Sequence, residues 1–368
     1  MFILILGAVI LAIVLLQSFA YKKFWDTGLV LRFAFSVTEA FEGDTASLNA
    51  TLENKKFLPL PWLLVEYQLS THLIFTGGSG LEVGEVVKSG LYSVMMYRRI
   101  RRKMPFVCGK RGYYRLRRVR LAGSNLLHTQ TFTKDIVCAS ALTVFPSLLE
   151  DLDSLSLTLN NLEALLLTHA LINPDPFTFR GIREYLPTDP LRNINPKASA
   201  ITQQLMVNIH APTSSKRLEI ILNLEHYTLQ PKDALFEQAI RLAATLAQRY
   251  IAGEVMVGLY TNGRDAITGD SAHIGAGTHA SQLYAIYHAL GRLALAFKPG
   301  PISGYLDTLQ DGGCVYALIS TYHGADMLAA LQAMKARGLS AITIIPVDGE
   351  MEVKITPSPS ITLWEAMT

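Results

Sequence analysis

The residues best suited to chemistry lie mostly in the second half of the chain. Six histidines, His210, His226, His273, His279, His288 and His323, are spread through it. Imidazole carries protons near neutral pH and is a common zinc ligand. His226, His279 and His323 follow or begin elements that should meet at one edge of an α/β sheet, where such folds place their sites. A zinc or hydrolytic centre would still need a nucleophile or carboxylate at a fixed spacing. No H-E-x-x-H, G-x-S-x-G or P-loop pattern is present. The histidines therefore read as loop polar residues, and no catalytic residue is assigned. Cys108, Cys138 and Cys314 are odd in number and far apart. They fit neither a disulfide framework nor a zinc spacing, and read as reduced thiols in small apolar slots.

A denser concentration of charge sits at 181–200, "GIREYLPTDPLRNINPKASA", where Arg183, Glu184, Asp189, Arg192 and Lys197 surround three prolines. A guanidinium fork matches a carboxylate bidentately and fixes orientation when it does so. Asp189 is within reach of Arg183 or Arg192 by spacing. The expected role is a clamp that holds this connector against the domain that follows. An exposed loop and a recognition surface are the alternatives.

The most basic stretch is "YRRIRRKMPFVCGKRGYYRLRRVRLAG" at 97–123, with Arg98, Arg99, Arg101, Arg102, Lys103, Arg115, Arg117 and Arg118 among its cations. It reads as a solvated hairpin face with Tyr113, Leu116, Val119 and Leu121 turned to a core. It also suits contact with anionic lipid or an acidic partner, and Tyr97, Tyr113 and Tyr114 could stack on bases. The formal net charge of +3 is too small to argue for nucleic acid, and none is expected as a partner.

These groups need elements to hold them. A chain of 368 residues, half of them hydrophobic, exceeds one ordinary core, so two domains are expected beside any membrane segment. Residues 1–20 carry no charged side chain and are followed by Tyr21, Lys22, Lys23, Phe24 and Trp25, a basic aromatic belt. Ser18-Phe19-Ala20 resembles a signal-peptide cleavage site, but no basic residue precedes the apolar run. The reading is an uncleaved single-pass anchor in the cell membrane, with the amino terminus outside and the bulk of the chain cytoplasmic. Residues 21–148 read as a β-sandwich-like domain. Leu31, Phe33, Phe35 and Val37 alternate along one face, as do Ala46, Leu48, Ala50 and Leu52, and turns fall at 42–44 and 77–80. A leucine-rich segment at 149–171, helix or strand plus helix, opens a connector that runs to 215. "NPDPF" at 173–177 breaks it. From 216 to 348 apolar strands alternate with helices at 233–253, 278–297 and 325–338. This pattern predicts a parallel sheet covered on both faces, and 349–368 is left as a tail. The fold class is α+β multidomain: a transmembrane helix, a β-sandwich-like domain, then a Rossmann-like α/β domain.

The chain resembles the bacterial "domain of unknown function 58" proteins, whose signature has the sense R-x-Y-x-P-G-D-x-x-R-x-I-x-W-x-x-S-A. Here it reads Arg183, Tyr185, Pro187, Asp189, Arg192, Ile194, Ser199 and Ala200, with Thr188 in place of the glycine and Pro196 in place of the tryptophan. "EGD" at 42–44, "NKKFLPLP" at 54–61, "KRGYYRL" at 110–116 and "VFPSL" at 144–148 extend the likeness over nearly the whole chain. The family commonly starts with two membrane helices, where this chain shows one.

The resemblance implies a von Willebrand factor A-like domain at 216–348. It also implies, as partner, a MoxR-type AAA+ ATPase in an assembly or maturation system. Such domains often hold a divalent cation through D-x-S-x-S after the first strand, a threonine in a later loop and an aspartate after a central strand. Hard cations need those oxygens. The matching positions here are Asn223, Glu225, Tyr227, Thr278, Ser320 and Thr321. One carboxylate among them makes a poor cage, so no metal and no cofactor is expected. The resulting expectation is a membrane-anchored, non-enzymatic adaptor. An anionic-lipid or envelope-assembly factor acting through 98–120, and a metal-dependent enzyme at the sheet edge, are the alternatives.

Overall fold

Without charge to interrupt it, the first apolar run folds as one helix, α1 (Phe2–Phe24), with Lys22 and Lys23 in its last turn beside the carbonyl end. Its 23 residues reach about 35 Å, enough to cross a hydrocarbon layer of about 30 Å, and its apolar face is unburied. The computed structural model describes residues 2–75, 85–172, 174–187, 189–212, 216–226, 233–297, 299–310, 313–348, 358 and 360–366. The expected turn at 77–80 and Tyr227 lie outside them. The chain divides into two units, Met1–Ser147 and Leu148–Thr368.

In the first unit the strands are β1 (Leu29–Phe35), β2 (Glu39–Phe41), β3 (Thr45–Asn54), β4 (Leu60–Ser70), β5 (Leu73–Phe75), β6 (Glu85–Val94), β7 (Arg99–Cys108), β8 (Gly112–Ser124) and β9 (Thr131–Phe145). They form two sheets, ordered β1-β3-β7-β5 and β2-β9-β8-β4-β6. One core joins their inner faces, with Leu48, Leu52, Leu63, Val65, Phe106 and Leu121 buried. Alternation in β3 is as expected: Ala46, Leu48, Ala50 and Leu52 all face inward. Val37 does not continue the β1 face. It lies past the strand end and is exposed.

The basic stretch is not a hairpin. Its halves, β7 and β8, belong to different sheets. Leu116 and Val119 are both fully buried although three residues apart. A register shift there sets one residue of β8, Arg117, against two of β9, Cys138 and Ala139, and keeps Val119 and Leu121 on the inner face with Leu116. Tyr114, rather than Tyr113, is the buried tyrosine of this strand.

The second unit begins with α2 (Ser156–Ile172), so the leucine-rich segment is helix, and Leu159, Leu162 and Leu166 bury its inner stripe. β10 (Pro174–Glu184) pairs antiparallel with β11 (Met206–Pro212), and α3 (Pro196–Thr202) lies between them. The sheet that follows contains β12 (Arg217–Asn223), α4 (Asp233–Ala252), β13 (Met256–Asp265), β14 (Ser271–Gly277), α5 (Ala280–Arg292), β15 (Leu293–Ala294), α6 (Ser303–Thr308), β16 (Cys314–Ser320), α7 (Ala325–Ala336), β17 (Ser340–Val347) and β18 (Ile361–Glu365).

Strand order is β14-β13-β12-β16-β17-β18, parallel from β13 to β18, with β14 antiparallel at one edge. Three expectations change. Asn262-Gly263, an Asn-Gly pair that ends an apolar run and so reads as a turn in the sequence, is not one, because β13 continues to Asp265 and pairs with β14. The helix read to 297 stops at Arg292, since Leu293 turns extended, buries its side chain and pairs with β13. The tail contributes β18, a parallel edge strand on β17.

Candidate functional site

From β12 the chain runs to β13 on one side, then crosses to β16 on the other. The carboxyl ends of β12 and β16 therefore flank the point where strand order reverses, the crevice in which open α/β sheets bind ligands. Asn223 and Ser320 sit directly opposite one another at those ends, and both are fully buried. Asn223 Nδ2 donates to Ser320 Oγ at 2.9 Å, and Asn262 Nδ2 donates to Asn223 Oδ1 at 2.7 Å and to the Gly300 carbonyl at 2.8 Å. Asn262 Oδ1 accepts from Leu224 N at 2.9 Å, while Ser320 Oγ donates to the Tyr322 carbonyl at 2.7 Å. Each polar atom is thus consumed by a neighbour, as buried polar groups require. Gly263 keeps this edge closed: a Cβ there would come within 2.6 Å of Leu224 Cδ1.

Glu225 is the carboxylate of the crevice. Its Oε2 accepts from Ile302 N at 3.3 Å, and its own carbonyl accepts from Thr321 Oγ1 at 3.2 Å. Burial holds its carboxyl above the usual glutamate range, opposed by the hydrogen bond from Ile302 N. Thr278 is not with it. Gly277, just before Thr278, pairs with Val257 near the beginning of β13, so Thr278 and His279 lie at the amino edge of the parallel strands. His226 and His323 do follow β12 and β16 at the carboxyl edge. The expected three-histidine edge is thereby reduced to two. His226 packs edge-on against Phe236 at 5.9 Å. Among the described residues no group of three or more histidines, cysteines or acids is placed to hold a metal ion. The donor set at the crevice, two amides and two hydroxyls around one half-buried carboxylate, does not fit a hard divalent cation.

A second cluster, on the same sheet, was not foreseen. Tyr305 hydroxyl donates to Glu219, and its ring stacks on Tyr260 with centroids 3.4 Å apart. His273, cross-strand from Tyr260, lies 3.7 Å from the Glu219 carboxylate. Burial, then the Glu219 hydrogen bond, pushes the Tyr305 phenol far above its ordinary value. Glu219 alternates with the apolar residues of β12, a pattern that reads in sequence as an ordinary half-exposed position.

The charged segment at 181–200 forms an arm. Arg183 pairs bidentately with Asp189, Nη1 to Oδ2 and Nη2 to Oδ1 both at 2.6 Å. Asp189 Oδ2 also accepts from Leu186 N at 2.9 Å, and Asp189 N donates to the Leu186 carbonyl at 2.8 Å. These partners all lie within the segment. The Arg183–Asp189 pair therefore staples a local turn instead of clamping the segment onto the sheet, and Arg192, which is exposed, is not the partner. Hydrogen bonding from Arg183 holds the Asp189 carboxyl below its ordinary range.

Beyond the turn, Asn195 caps α3 through Ala198 N at 3.0 Å. Ser199 Oγ donates to the Asn195 carbonyl at 2.7 Å and accepts from Met206 N at 2.9 Å, tying α3 to β11. Tyr185 is half-buried, with its backbone N bonded to the Leu205 carbonyl, and Pro187 is exposed. The frame so built leaves Ile182, Leu186, Leu191, Ile201 and Leu205 exposed.

The basic residues do not form one patch. Arg101 and Lys103 share the outer face of one sheet with Arg99, which pairs with Glu53 at 2.9 Å. Arg102 lies on the opposite face of β7, over the Tyr92 ring at 5.8 Å. Arg115 and Arg118 belong to the other sheet, Arg117 falls at its register shift, and Arg98 is in the loop before β7. A cleft of about 800 Å³ lies elsewhere again, between α2, α7 and β17, and includes Leu165, Leu331 and Lys335.

No family model matches the chain, and no curated protein matches it. Among solved structures, a non-cellulosomal cohesin from the archaeon Archaeoglobus fulgidus is similar over 31% of this chain and 90% of its own, with 10% identity and a TM-score of 0.21. The CARDB domain of the PF1109 protein from Pyrococcus furiosus covers 30% of this chain and 93% of its own, at 12% identity and a TM-score of 0.18. The sporulation control protein Spo0M of Bacillus subtilis covers 43% of this chain and 58% of its own, at 9% identity and a TM-score of 0.18.

Proposed function

We propose that this chain is a membrane-anchored, non-enzymatic interaction protein that works with a MoxR-type AAA+ ATPase in the assembly or maturation of other proteins. The resemblance to the domain of unknown function 58 family supplies the partner. It also supplies the reading of the parallel sheet as a von Willebrand factor A-like domain. The observation that carries the proposal is the contrast between two surfaces. At the sheet crevice, the amides and hydroxyls of Asn223, Asn262 and Ser320 satisfy one another. On the arm that bears the signature, a stapled backbone holds Leu186, Leu191 and Ile201 in solvent. Apolar residues held exposed on an ordered frame are the anatomy of a protein contact.

The anchor reading is supported by how α1 ends. The helix runs unbroken past Ala20, and the next residue, Tyr21, is buried with its hydroxyl donating to the Pro59 carbonyl at 2.7 Å. A protease cutting after Ala20 would need that backbone extended and free. The bulk of the chain is then cytoplasmic, with Lys22 and Lys23 on the inner side.

The test is affinity capture of the full chain from membranes in mild detergent with ATP. The expected result is co-recovery of an AAA+ ATPase, lost in a Leu191→Asp, Ile201→Asp variant. Recovery of no AAA+ protein under these conditions would sink the proposal.

A further inference from the structure

We propose that the end of the sandwich surrounding α1 is itself a membrane-contact surface, a collar of loop side chains that enters the headgroup layer of the bilayer α1 crosses. The inference rests on the anchor reading above. It concerns neither the strands of the basic stretch nor the partner.

Three strand connections lie at the end where α1 meets the sandwich: 55–59 between β3 and β4, 95–98 between β6 and β7, and 125–130 between β8 and β9. Contacts with the helix fix their level. Asn125 Nδ2 donates to Ser18 Oγ at 3.4 Å, and Tyr21 hydroxyl donates to the Pro59 carbonyl. Lys56 Nζ donates to the Phe24 carbonyl at 2.8 Å and to the Trp25 carbonyl, closing the helix end. Tyr97 N donates to the Lys56 carbonyl at 3.2 Å, which brings the second loop beside the first. Ser18 to Phe24 is about 9 Å of helix. The loops therefore ring the stretch where the apolar run gives way to Lys22 and Lys23, which is the depth of a membrane–water interface.

Loops in water are ordinarily polar. These carry Phe57 at 72% exposure, Tyr97 at 69% and Leu127 at 52%, with Met96 and Leu126 also exposed and Trp62 just inside the first strand. Lys55 and Arg98 are exposed beside them, and the three loops contain no aspartate or glutamate. Aromatic and apolar tips flanked by cations match the composition of an interfacial belt, and the nearby acids Asp26 and Glu53 are neutralised by Lys134 and Arg99, each pair at 2.9 Å. Tyr97 holds a left-handed backbone at φ 52°, which costs energy for a bulky residue and keeps its ring outward.

Spin labels on the full chain in lipid nanodiscs test the collar. Cys108 and Cys314 are pushed by burial up to about 11 and about 12, and Cys138 is pushed up by the same cause. The native thiols therefore stay protonated at neutral pH, and a new cysteine labels selectively. Labels go at Phe57→Cys and Leu127→Cys, with Leu11→Cys as the reporter of the anchor. Ile74→Cys, on β5 at the other end of the sandwich, is the water control. The collar labels are expected to favour collision with oxygen over a water-soluble nickel complex severalfold more than Ile74→Cys does. Collar labels that match Ile74→Cys while Leu11→Cys reports lipid would overturn the collar and leave the anchor standing. Low collision with both agents, which reports burial against protein, would overturn it equally. Water exposure at Leu11→Cys would remove the anchor and the collar together.

Discussion

Replacing Asn223 by aspartate restores the carboxylate that a cation cradle would want, and the structure sets the outcome. Asn223 is fully buried. Its Oδ1 accepts from Asn262 at 2.7 Å and from Glu225 N at 3.1 Å, and aspartate can keep both bonds. Its Nδ2 donates to Ser320 Oγ at 2.9 Å, and that bond is lost. The Ser320 proton is already directed at the Tyr322 carbonyl, so the new oxygen would face another oxygen. A buried group left unsatisfied in this way costs about 1–3 kcal/mol.

Burial also raises the folded-state pKa of the new carboxyl above its unfolded value of about 3.9. The sign follows: the variant's deficit is full above the raised pKa and shrinks as pH falls through it, because the proton restores a donor toward Ser320. Urea unfolding of the detergent-solubilised chain, followed by far-UV circular dichroism, reads this directly. Asn223→Asp is expected to lose about 1–3 kcal/mol at neutral pH, to recover in acid, and to be indifferent to Mg²⁺. Stability equal to the parent at neutral pH would refute the reasoning. So would stabilisation by Mg²⁺, since a bound ion at 100 times its Kd would add about 2.7 kcal/mol.

Asp189→Asn should leave global unfolding almost unchanged but speed hydrogen exchange at the Leu186 amide. In the parent that protection should persist above the ordinary carboxylate range and be lost as pH falls through the lowered folded value, because Asp189 is depressed by Arg183. Deleting Ala139, on the strand that carries the extra residue, leaves a regular ladder in which Leu116 and Val119, three residues apart, must face opposite sides; the first unit should then fail to fold, seen as rapid proteolysis of 21–147. Lys56 is lowered by burial to about 8, so the folded chain sheds that proton before the unfolded chain does. Stability should rise from about pH 8 toward 10.5, a rise that Lys56→Met abolishes in thermal unfolding across that range.

Periodicity carried most of the fold. Ala46 to Leu52 alternates so regularly that only a half-buried strand explains it, and the apolar runs at 217–223 and 314–320 became neighbouring parallel strands. What escaped was decided by partners distant in sequence. Residues 293–297 keep a helical look, but pairing with β13 draws Leu293 and Ala294 out of the helix. The basic stretch looks like one hairpin because nothing local announces that β7 and β8 join different sheets. At the crevice, Asn223 and Ser320 were legible as positions, whereas Asn262 was hidden by an Asn-Gly pair that reads as a turn. Thr278 was misplaced because the antiparallel return of β14 moves the start of α5 to the other edge of the sheet. Likewise the spacing of Arg183, Asp189 and Arg192 allowed either arginine, and only the turn at 186–189 selects Arg183.

The central claim is that the stapled arm, not the sheet crevice, is where this protein does its work. A photo-reactive residue placed at Leu191, activated in intact membranes, tests it most directly. The account predicts an ATP-sensitive cross-link to an AAA+ ATPase, absent when Arg183 and Asp189 are both replaced by alanine. Cross-links to lipid alone, or an adduct indifferent to the loss of the staple, would contradict it.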